Sequence, residues 1–422
     1  MKKSMYNYLL EQNGKFYMYN PYAGLLKVSR DVYEQYTLND VDDFPQELQD
    51  SLFQKKFLVE NDNEFLQFSI MRNRLIYSRD TLLLEIAPTL RCNCSCNYCF
   101  VRKSSITMNI ETENEIVAFV AARIEHGVKN VKITWFGGEP LLEYERLVSL
   151  SCKLIDLCEK KQVNYQAFLI TNGLLLTDSI TSHFRDLKIQ GVQITLDGTE
   201  YSHNTERPTS IGNGYKIILQ NLNLFDGEIK PIIRVNVSKK NCNNISDLLL
   251  FLDQYSKFIR SVTFSPVFNI NGTPKQCVEN MLSRQEFAKL ENDYLDVLRK
   301  TSLDYEFHIR GRYVGDSSCL INSFCIDPKG NLYKSSFMLG NEDYIIQNIR
   351  EFDLITCTHK RQFSEYFDVV FSDRCKNCSF LPYCIGGETT MAYGQCDSIR
   401  YNLDKILATY IDHMENEMKY GN

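Results

Sequence analysis

Short apolar segments alternate with stretches of helical periodicity over residues 79–310, and this alternation constrains the fold more than any other feature. The strand candidates are Leu82–Ile86, Val131–Trp135, Tyr165–Ile170, Val192–Leu196, Ile232–Val237 and Val262–Pro266. The helix candidates between them are Glu111–Glu125, Leu141–Lys160, Thr177–Leu187, Tyr215–Phe225 and Ile245–Tyr255. Strands joined by helices at this spacing run parallel with right-handed crossovers. The sequence therefore predicts an α/β fold with a partial (β/α)6 TIM-like barrel, whose active site lies at the carboxyl ends of the strands.

The segments on either side of the barrel have a different character. Residues 1–78 combine short strand candidates, turn residues and two short helix candidates, which predicts a small α+β module. Residues 311–422 are rich in turns and Cys and end in a helix candidate, Ser398–Lys419. We therefore expect three domains, with boundaries near residues 78 and 310.

Composition narrows the classes of function. The net charge of -6 argues against a nucleic-acid partner. We find no apolar run of the roughly 18 residues that a membrane span needs, and no signal peptide at the N-terminus. These observations predict a cytoplasmic protein without a membrane partner. In that compartment, the 15 Cys residues indicate metal binding or catalysis rather than disulfides.

A dense Cys motif follows the first predicted barrel strand. Cys92, Cys96 and Cys99 are spaced as Cys-x3-Cys-x2-Cys. Three thiolates on one loop can bind three irons of a [4Fe–4S] cluster and leave the fourth iron open to another ligand. Cys94 lies between them at a spacing that does not complete the motif, and we do not expect it to be a ligand.

A second motif, Phe136-Gly137-Gly138-Glu139-Pro140, follows the second strand. The two glycines allow the backbone to approach a ligand closely, and Glu139 can accept hydrogen bonds from an ammonium group. The alternative is a tight strand-to-helix turn with Pro140 in the first helical turn.

Polar residues also mark the ends of the next three strands. Thr171 and Asn172 end the third strand, and Arg207 follows the fourth. Arg234 and Asn236 alternate with apolar residues on the fifth strand, so both are expected to face the barrel interior. Arg234 could pair with a ligand carboxylate, although Arg207 and Arg234 could each form a structural ion pair instead.

Together, the Cys triplet and the Gly-Gly-Glu-Pro run resemble those of the radical S-adenosylmethionine (SAM) enzymes. The resemblance implies a [4Fe–4S] cluster at Cys92, Cys96 and Cys99, with SAM bound at the open iron. It also implies SAM contacts from Tyr98, Gly137, Gly138, Glu139, Thr171, Asn172, Arg207 and Arg234. The family usually has His-Asp where this chain has His203-Asn204, and a plain surface histidine is an equal alternative for His203. The motifs identify no catalytic acid or base.

The C-terminal segment holds a second Cys cluster. Cys375, Cys378, Cys384 and Cys396 could together fill a metal site, and Cys-x2-Cys pairs also bind zinc. The spacing is similar to that of the SPASM domain of enzymes that modify peptides and proteins. This resemblance implies at least one auxiliary [4Fe–4S] cluster at these four residues.

A further auxiliary cluster is less complete. Cys319 and Cys325 match two of the four thiolates that the resemblance implies, but Ser335 and Glu388 occupy the other two positions. Such a cluster would need oxygen ligands or an open iron. Alternatively, it is absent, and Cys319 and Cys325 are buried thiols.

The resemblance implies a maturase of ribosomally made peptides that uses a 5′-deoxyadenosyl radical to install a thioether, C–C or C–O crosslink. Its partners would be a precursor peptide with a leader segment and a flavodoxin- or ferredoxin-type reductant. Residues 1–78 resemble winged-helix-like elements that hold leader peptides, with a simple cap on the barrel as the alternative. Other hypotheses are an anaerobic sulfatase-maturing enzyme, a peptide epimerase with Cys242 or Cys277 as hydrogen donor, and a non-enzymatic zinc protein.

Overall fold

The structure is a computed structural model that describes residues 1–60, 63–225, 227–268, 279–307, 309–314, 317–367, 371–384 and 396–420. The chain divides into two compact units. The first unit comprises Met1–Ile76, Phe307–Asp316 and Asp368–Asn422, and the second comprises Tyr77–Glu306 and Ser317–Phe367. This division differs from the boundary expected near residue 310, because Ser317–Phe367 belongs with the barrel strands.

The first unit is α+β. Its strands are β1 (Lys2–Lys3), β2 (Tyr8–Gln12), β3 (Lys15–Asn20), β4 (Gly24–Val28) and β5 (Leu58–Val59). Its helices are Arg30–Leu38, Gln46–Gln54, Glu64–Ile76, Asp373–Lys376, Leu381–Cys384 and Leu403–Tyr420. Strands β2, β3 and β4 form an antiparallel meander, and β1 pairs with β5.

Local sequence signals explain much of this unit. Asn13 and Gly14 both have positive φ, which suits the tight turn between β2 and β3. The Ser29 side chain accepts a hydrogen bond from the Val32 amide and caps the helix Arg30–Leu38. Met18 lies at the centre of the core between the meander and the helices, and is fully buried. The expected role in leader-peptide recognition stays a prediction.

The second unit contains the parallel strands that the sequence predicts. They are β6 (Thr81–Ile86), β7 (Asn130–Trp135), β8 (Asn164–Thr171), β9 (Ile189–Thr195), β10 (Pro231–Val237) and β11 (Ser261–Pro266). Each strand pairs in parallel with the next one along the chain. The predicted α/β fold is therefore confirmed, and the carboxyl ends of the six strands lie at one edge.

Helices connect these strands. Their bounds are Ile110–Glu125, Tyr144–Lys160, Asp178–Ser182, Glu200–Glu206, Gly214–Leu222, Ile245–Leu252 and Arg284–Leu298. The helix expected at Thr177–Leu187 is much shorter in the structure, because Asp178–Ser182 has only 5 residues, about one and a half turns. Two short helices, Leu354–Thr358 and Arg361–Ser364, follow later in the chain.

Three further strands extend the sheet beyond β6. They are β12 (Ser323–Ile326), β13 (Asn331–Tyr333) and β14 (Gln347–Asn348). β12 pairs in parallel with β6, while β13 and β14 continue antiparallel. The Lys334 ammonium is buried beneath this extension, where it donates to the carbonyls of Leu320 and Ser323 and contacts three Phe rings. These contacts hold residues 317–367 together, and the pairing of β12 with β6 attaches this segment to the barrel strands.

The turn after β7 packs directly on the loop after β6. The amides of Gly138 and Glu139 donate to the carbonyls of Thr89 and Arg91, at 3.1 and 2.8 Å. A Cβ atom at Gly138 would lie 1.9 Å from the Arg91 carbonyl oxygen. The sequence suggested that these glycines make room for a ligand, whereas Gly138 makes room for the backbone of the Cys loop.

Among the described residues, no helix combines the length and the apolar character that crossing a lipid bilayer requires.

We expect Gly138→Ala to lower the free energy of unfolding by about 1–3 kcal/mol, because the added methyl group forces two backbones apart. Urea unfolding monitored by circular dichroism measures this change. Gly227→Ala is the matched control, because a Cβ at this exposed glycine meets nothing within 4 Å. Equal unfolding midpoints for the two variants would contradict the close approach described above.

Candidate active site

A cavity of about 280 Å³ lies at the carboxyl ends of the parallel strands in the second unit. It brings together all of the residues predicted to hold the barrel cluster and SAM. These are Cys92, Cys96, Cys99, Tyr98, Gly137, Gly138, Glu139, Thr171, Asn172, Arg207 and Arg234. They come from the ends of several strands and from the loops that follow them. Their roles as ligands of a cluster or of SAM stay predictions. The structure shows only that these residues line the same cavity.

The Cys loop places an unexpected thiol at its centre. Cys94 is buried and its thiol contacts the sulfurs of Cys92 and Cys96. The Cys94 amide also donates to the Cys92 sulfur at 3.4 Å. In the described parts of the chain, no group of three or more His, Cys, Asp or Glu side chains is close enough to hold a metal ion as it stands.

The surroundings favour thiolates at two of the three positions. A hydrogen bond from Cys94 lowers the pKa of Cys92 to about 6 and that of Cys96 to about 7. The positive charges of Lys103 and Arg207 act in the same direction, against the effect of burial. Burial raises the pKa of the Cys99 thiol. Thiolates are the form that binds iron, so this donor set fits a cluster.

The Glu139 carboxylate is the polar centre of the cavity wall. Its Oε1 accepts hydrogen bonds from the Thr171 hydroxyl at 2.7 Å and from the Leu141 amide at 3.1 Å. Its Oε2 accepts one from the Asn172 amide at 2.8 Å. Burial raises the pKa of Glu139 to about 7, although these three donors act to lower it. Glu139 therefore ties the loop after β7 to the loop after β8.

A buried network lies beside the Cys loop. The Arg207 guanidinium donates to the Tyr98 hydroxyl at 2.6 Å and lies 3.7 Å from the Asp197 carboxylate. The Tyr98 hydroxyl also bonds to Asp197, and the Asn236 amide donates to the same carboxylate at 2.7 Å. These contacts favour a structural ion pair for Arg207. Tyr98 is held by its hydroxyl, which fixes the orientation of its ring at the cavity.

Arg234 is different from Arg207. Its Nε donates to Asn236 Oδ1 at 3.1 Å, and both side chains line the cavity as the strand alternation predicts. Among the described residues, no carboxylate lies within ion-pair distance of Arg234. Burial lowers the pKa of this guanidinium. A buried cation without a paired acid is a good fit for the carboxylate of a ligand.

His203 is not the surface residue that one of our alternatives expected. It is 2% exposed, and its Nδ1 accepts a hydrogen bond from the Asp197 amide at 3.2 Å. Burial lowers the pKa of His203 to about 3, so the ring is neutral. Asn204, where the family usually has Asp, accepts from the Tyr215 amide and helps to start the following helix. Both residues are structural here.

An aromatic wall faces these polar groups, and the sequence did not reveal all of it. The Phe100 ring lies edge-on to Phe337 at 4.8 Å and stacks with Phe136 at 6.1 Å between centroids. Phe337 comes from the segment that extends the sheet beyond β6. No motif marks it, and only the pairing of β12 with β6 places it here. Lys103 was also missed, although its position four residues after Cys99 is a usable signal.

The predicted C-terminal cluster lies in the first unit and is only partly described. Arg400 Nη1 lies 3.6 Å from the Cys378 sulfur and 3.9 Å from the Cys396 sulfur, which places these two thiols around one guanidinium. The Cys378 amide donates to the Cys375 carbonyl at 3.2 Å. Cys384 ends the short helix Leu381–Cys384. Their joint role as cluster ligands stays a prediction.

The residues expected for a further auxiliary cluster are in the second unit. Cys325 lies in β12 and is 1% exposed, while Cys319 is at the end of a short 3-10 helix. Ser335 caps the next turn through the Phe337 amide. The burial of Cys325 in the sheet favours the alternative in which Cys319 and Cys325 are buried thiols and hold no cluster. Glu388 lies outside the described residues.

Several known proteins are similar to this chain in sequence. Residues 86–237 match the model of the Radical SAM superfamily. GTP 3',8-cyclase of Acidothermus cellulolyticus is 29% identical over 203 residues, which cover 45% of this chain and 52% of that enzyme. The chain thus matches about half the length of this relative. Radical SAM cyclopropyl synthase TigE of Paramaledivibacter caminithermalis is 20% identical over 417 residues, which cover 91% of this chain and 84% of TigE.

Solved structures share the fold. Native anSMEcpe with bound AdoMet and Cp18Cys peptide has 19% identity and a TM-score of 0.56, covering 81% of this chain and 97% of its own. Streptococcus suis SuiB bound to precursor peptide SuiA has 15% identity and a TM-score of 0.53, covering 91% of this chain and 94% of its own. Identities this low establish a shared fold alone. The chain therefore contains a radical SAM domain at residues 86–237 and has the radical SAM α/β fold.

Proposed function

We propose that this protein is a radical SAM peptide maturase that installs a crosslink in a ribosomally made precursor peptide. The observation that carries the proposal is the single cavity in which the three Cys residues, the Gly-Gly-Glu-Pro turn and Arg234 meet. Support for a peptide substrate comes from the similar structures, since anSMEcpe and SuiB each have a peptide bound. The match to a radical SAM cyclopropyl synthase along most of the chain supports radical chemistry that forms a bond.

When bound, a [4Fe–4S] cluster and SAM would supply a 5′-deoxyadenosyl radical able to take hydrogen from an unactivated carbon. In this proposal, Cys92, Cys96 and Cys99 hold the cluster. Arg234 binds the SAM carboxylate. Glu139 fixes the backbone of its own turn and of Asn172, so that exposed carbonyls on these loops can accept hydrogen bonds from the SAM amino group.

The remaining parts of the chain have proposed roles as well. Cys375, Cys378, Cys384 and Cys396 hold an auxiliary [4Fe–4S] cluster, which serves in electron return or substrate binding. The first unit's N-terminal strands and helices hold the leader segment of the precursor. A flavodoxin- or ferredoxin-type protein supplies the electron.

Cys92→Ala, Cys96→Ala and Cys99→Ala should each remove about 4 iron per chain from anaerobically reconstituted protein, because each takes away one of three cluster ligands. Each variant should also stop 5′-deoxyadenosine formation from SAM under dithionite. Iron analysis and liquid chromatography measure both effects.

Cys94→Ala is the matched control for these variants, because Cys94 shares the loop but not the proposed role. It should keep the iron content of the unaltered protein. The assignment of ligands is wrong if Cys94→Ala loses as much iron as Cys92→Ala. Zinc in place of iron in the unaltered protein would overturn the radical mechanism altogether.

Arg234→Gln should weaken SAM binding by about 10- to 100-fold, since a hydrogen bond to a charged group contributes about 1.5–3 kcal/mol. Equilibrium dialysis of the reconstituted protein measures the dissociation constant. Decarboxylated SAM is the control ligand. It should bind with equal affinity to the unaltered protein and to the variant, and a similar loss for both ligands would exclude a contact with the carboxylate.

The peptide reaction can be tested by expressing the protein with small peptide genes that neighbour its own gene. A crosslink requires the loss of two hydrogens from the peptide, which mass spectrometry detects. An unchanged mass together with a D-residue would indicate an epimerase instead. Conversion of Cys or Ser to formylglycine in a sulfatase-derived peptide, with no reaction of the neighbouring peptides, would favour a sulfatase-maturing enzyme.

A further inference from the structure

A second cavity lies in the second unit, away from the Cys loop. Its volume is about 520 Å³, which is within the range of small-molecule sites. It is formed by the helix Ile110–Glu125 and residues 349–355, together with Arg79. Arg79 precedes the amino end of β6, whereas the Cys loop follows the carboxyl end of the same strand. The two cavities therefore lie at opposite ends of β6.

Arg123 is the buried cation of this cavity. It is 7% exposed, and its guanidinium lies over the Phe352 ring at 5.3 Å from the centroid. Its Nη2 donates to Asn322 Oδ1 at 2.8 Å. Its Nε is buried and has no hydrogen-bond partner in the described parts of the chain. A buried donor without an acceptor is costly, which points to a missing partner.

Arg79 brings a second positive charge to the same place. Asn322 Nδ2 donates to the Arg79 backbone carbonyl at 3.0 Å, so one amide side chain bonds to the Arg123 guanidinium and to the backbone of Arg79. The pKa of Arg123 is lowered by burial and, next, by the charge of Arg79. Within the described ranges, neither arginine has a carboxylate at ion-pair distance. Two neighbouring cations without a shared anion repel each other.

The acidic groups that line the cavity are already engaged. Glu115 Oε1 pairs with Arg350 at 2.6 Å. The Asp353 carboxylate accepts from the amide and hydroxyl of Thr356 and caps a short helix. Glu115 Oε2 is buried without a hydrogen-bond partner among the described residues. None of these carboxylates therefore forms an ion pair with Arg79 or Arg123.

Apart from His126, the rest of the wall is apolar. Phe119 and Phe352 meet edge to face at 5.0 Å between centroids, and Ile349, Leu354 and Ile355 complete this side. Aromatic and aliphatic walls with a few convergent charges are typical of sites for small organic ligands.

We propose that this cavity binds a small organic anion, with its phosphate or carboxylate between Arg79 and Arg123 and its apolar body against Phe119 and Phe352. The bound anion accepts hydrogen bonds from both guanidinium groups and removes the repulsion between them. The site does not depend on SAM chemistry, because none of its residues lines the cavity with the Cys loop.

Isothermal titration calorimetry of the cluster-reconstituted protein tests the site, with phenyl phosphate and phenylacetate as probes. The probe that binds more tightly shows whether the site prefers a phosphate or a carboxylate. Tyramine, which has the ring but a positive charge, should not bind. Inorganic phosphate should bind at least tenfold more weakly than phenyl phosphate, because it lacks the apolar body.

Arg79→Gln should weaken binding of the better probe by about tenfold, the effect of losing one charge-assisted hydrogen bond. Arg123→Gln should weaken it at least as much. Arg185→Gln, an exposed arginine paired with Glu228 in the same unit, is the control and should have no effect. Arg79 is exposed, so its replacement decides the question even if Arg123→Gln fails to fold.

The proposal is overturned if neither phenyl phosphate nor phenylacetate binds at millimolar concentration. It is also overturned if Arg79→Gln leaves the affinity of the better probe unchanged. Equal binding of inorganic phosphate and phenyl phosphate would exclude the apolar part of the site.

Discussion

The Glu139 carboxylate holds together the loops that form the active-site cavity. Its three hydrogen bonds reach the Thr171 hydroxyl and the Leu141 and Asn172 amides, while its own amide bonds to the Arg91 carbonyl. The ends of β6, β7 and β8 are thereby fixed by one side chain and its backbone. A buried carboxylate is unfavourable in isolation, and only this full set of donors makes it tolerable. The shape of the cavity therefore depends on these hydrogen bonds between the three loops.

The charges around the cavity divide into two groups with different consequences. Arg207 and Asp197 compensate each other and hold the Tyr98 hydroxyl, so they stabilise the site without needing a ligand. Arg234 has no such acid among the described residues, and Lys103 bonds only to the Cys94 carbonyl in the contacts that we observe. Arg234 and Lys103 thus bring cationic groups to the cavity that contains the thiols, where Glu85 and Glu139 contribute carboxyl groups. A buried cation without a paired acid suits a ligand that carries a carboxylate.

The sequence was sufficient for the parts of the fold that depend on local patterns. Alternation of apolar residues located all six parallel strands, and the same alternation placed Arg234 and Asn236 in the cavity. It could not reveal the pairing of β12 with β6, because that contact joins segments far apart in the chain and neither segment carries a signal for the other. For the same reason Phe337 was missed. The burial of His203 and the position of Cys94 between two thiols also depend on tertiary packing, which residue type alone does not encode.

The pairing of β12 with β6 has a consequence for how the protein is made. β6 is synthesised early, but its partner on one side is β12, which lies more than half the chain further on. Until the ribosome has released β12, one edge of β6 exposes unpaired backbone groups next to the Cys loop. Contacts of such long sequence separation form slowly, and an exposed strand edge is prone to pair with other chains. The nascent barrel is thus vulnerable to aggregation through most of its own translation, and chaperone binding at this edge would protect it.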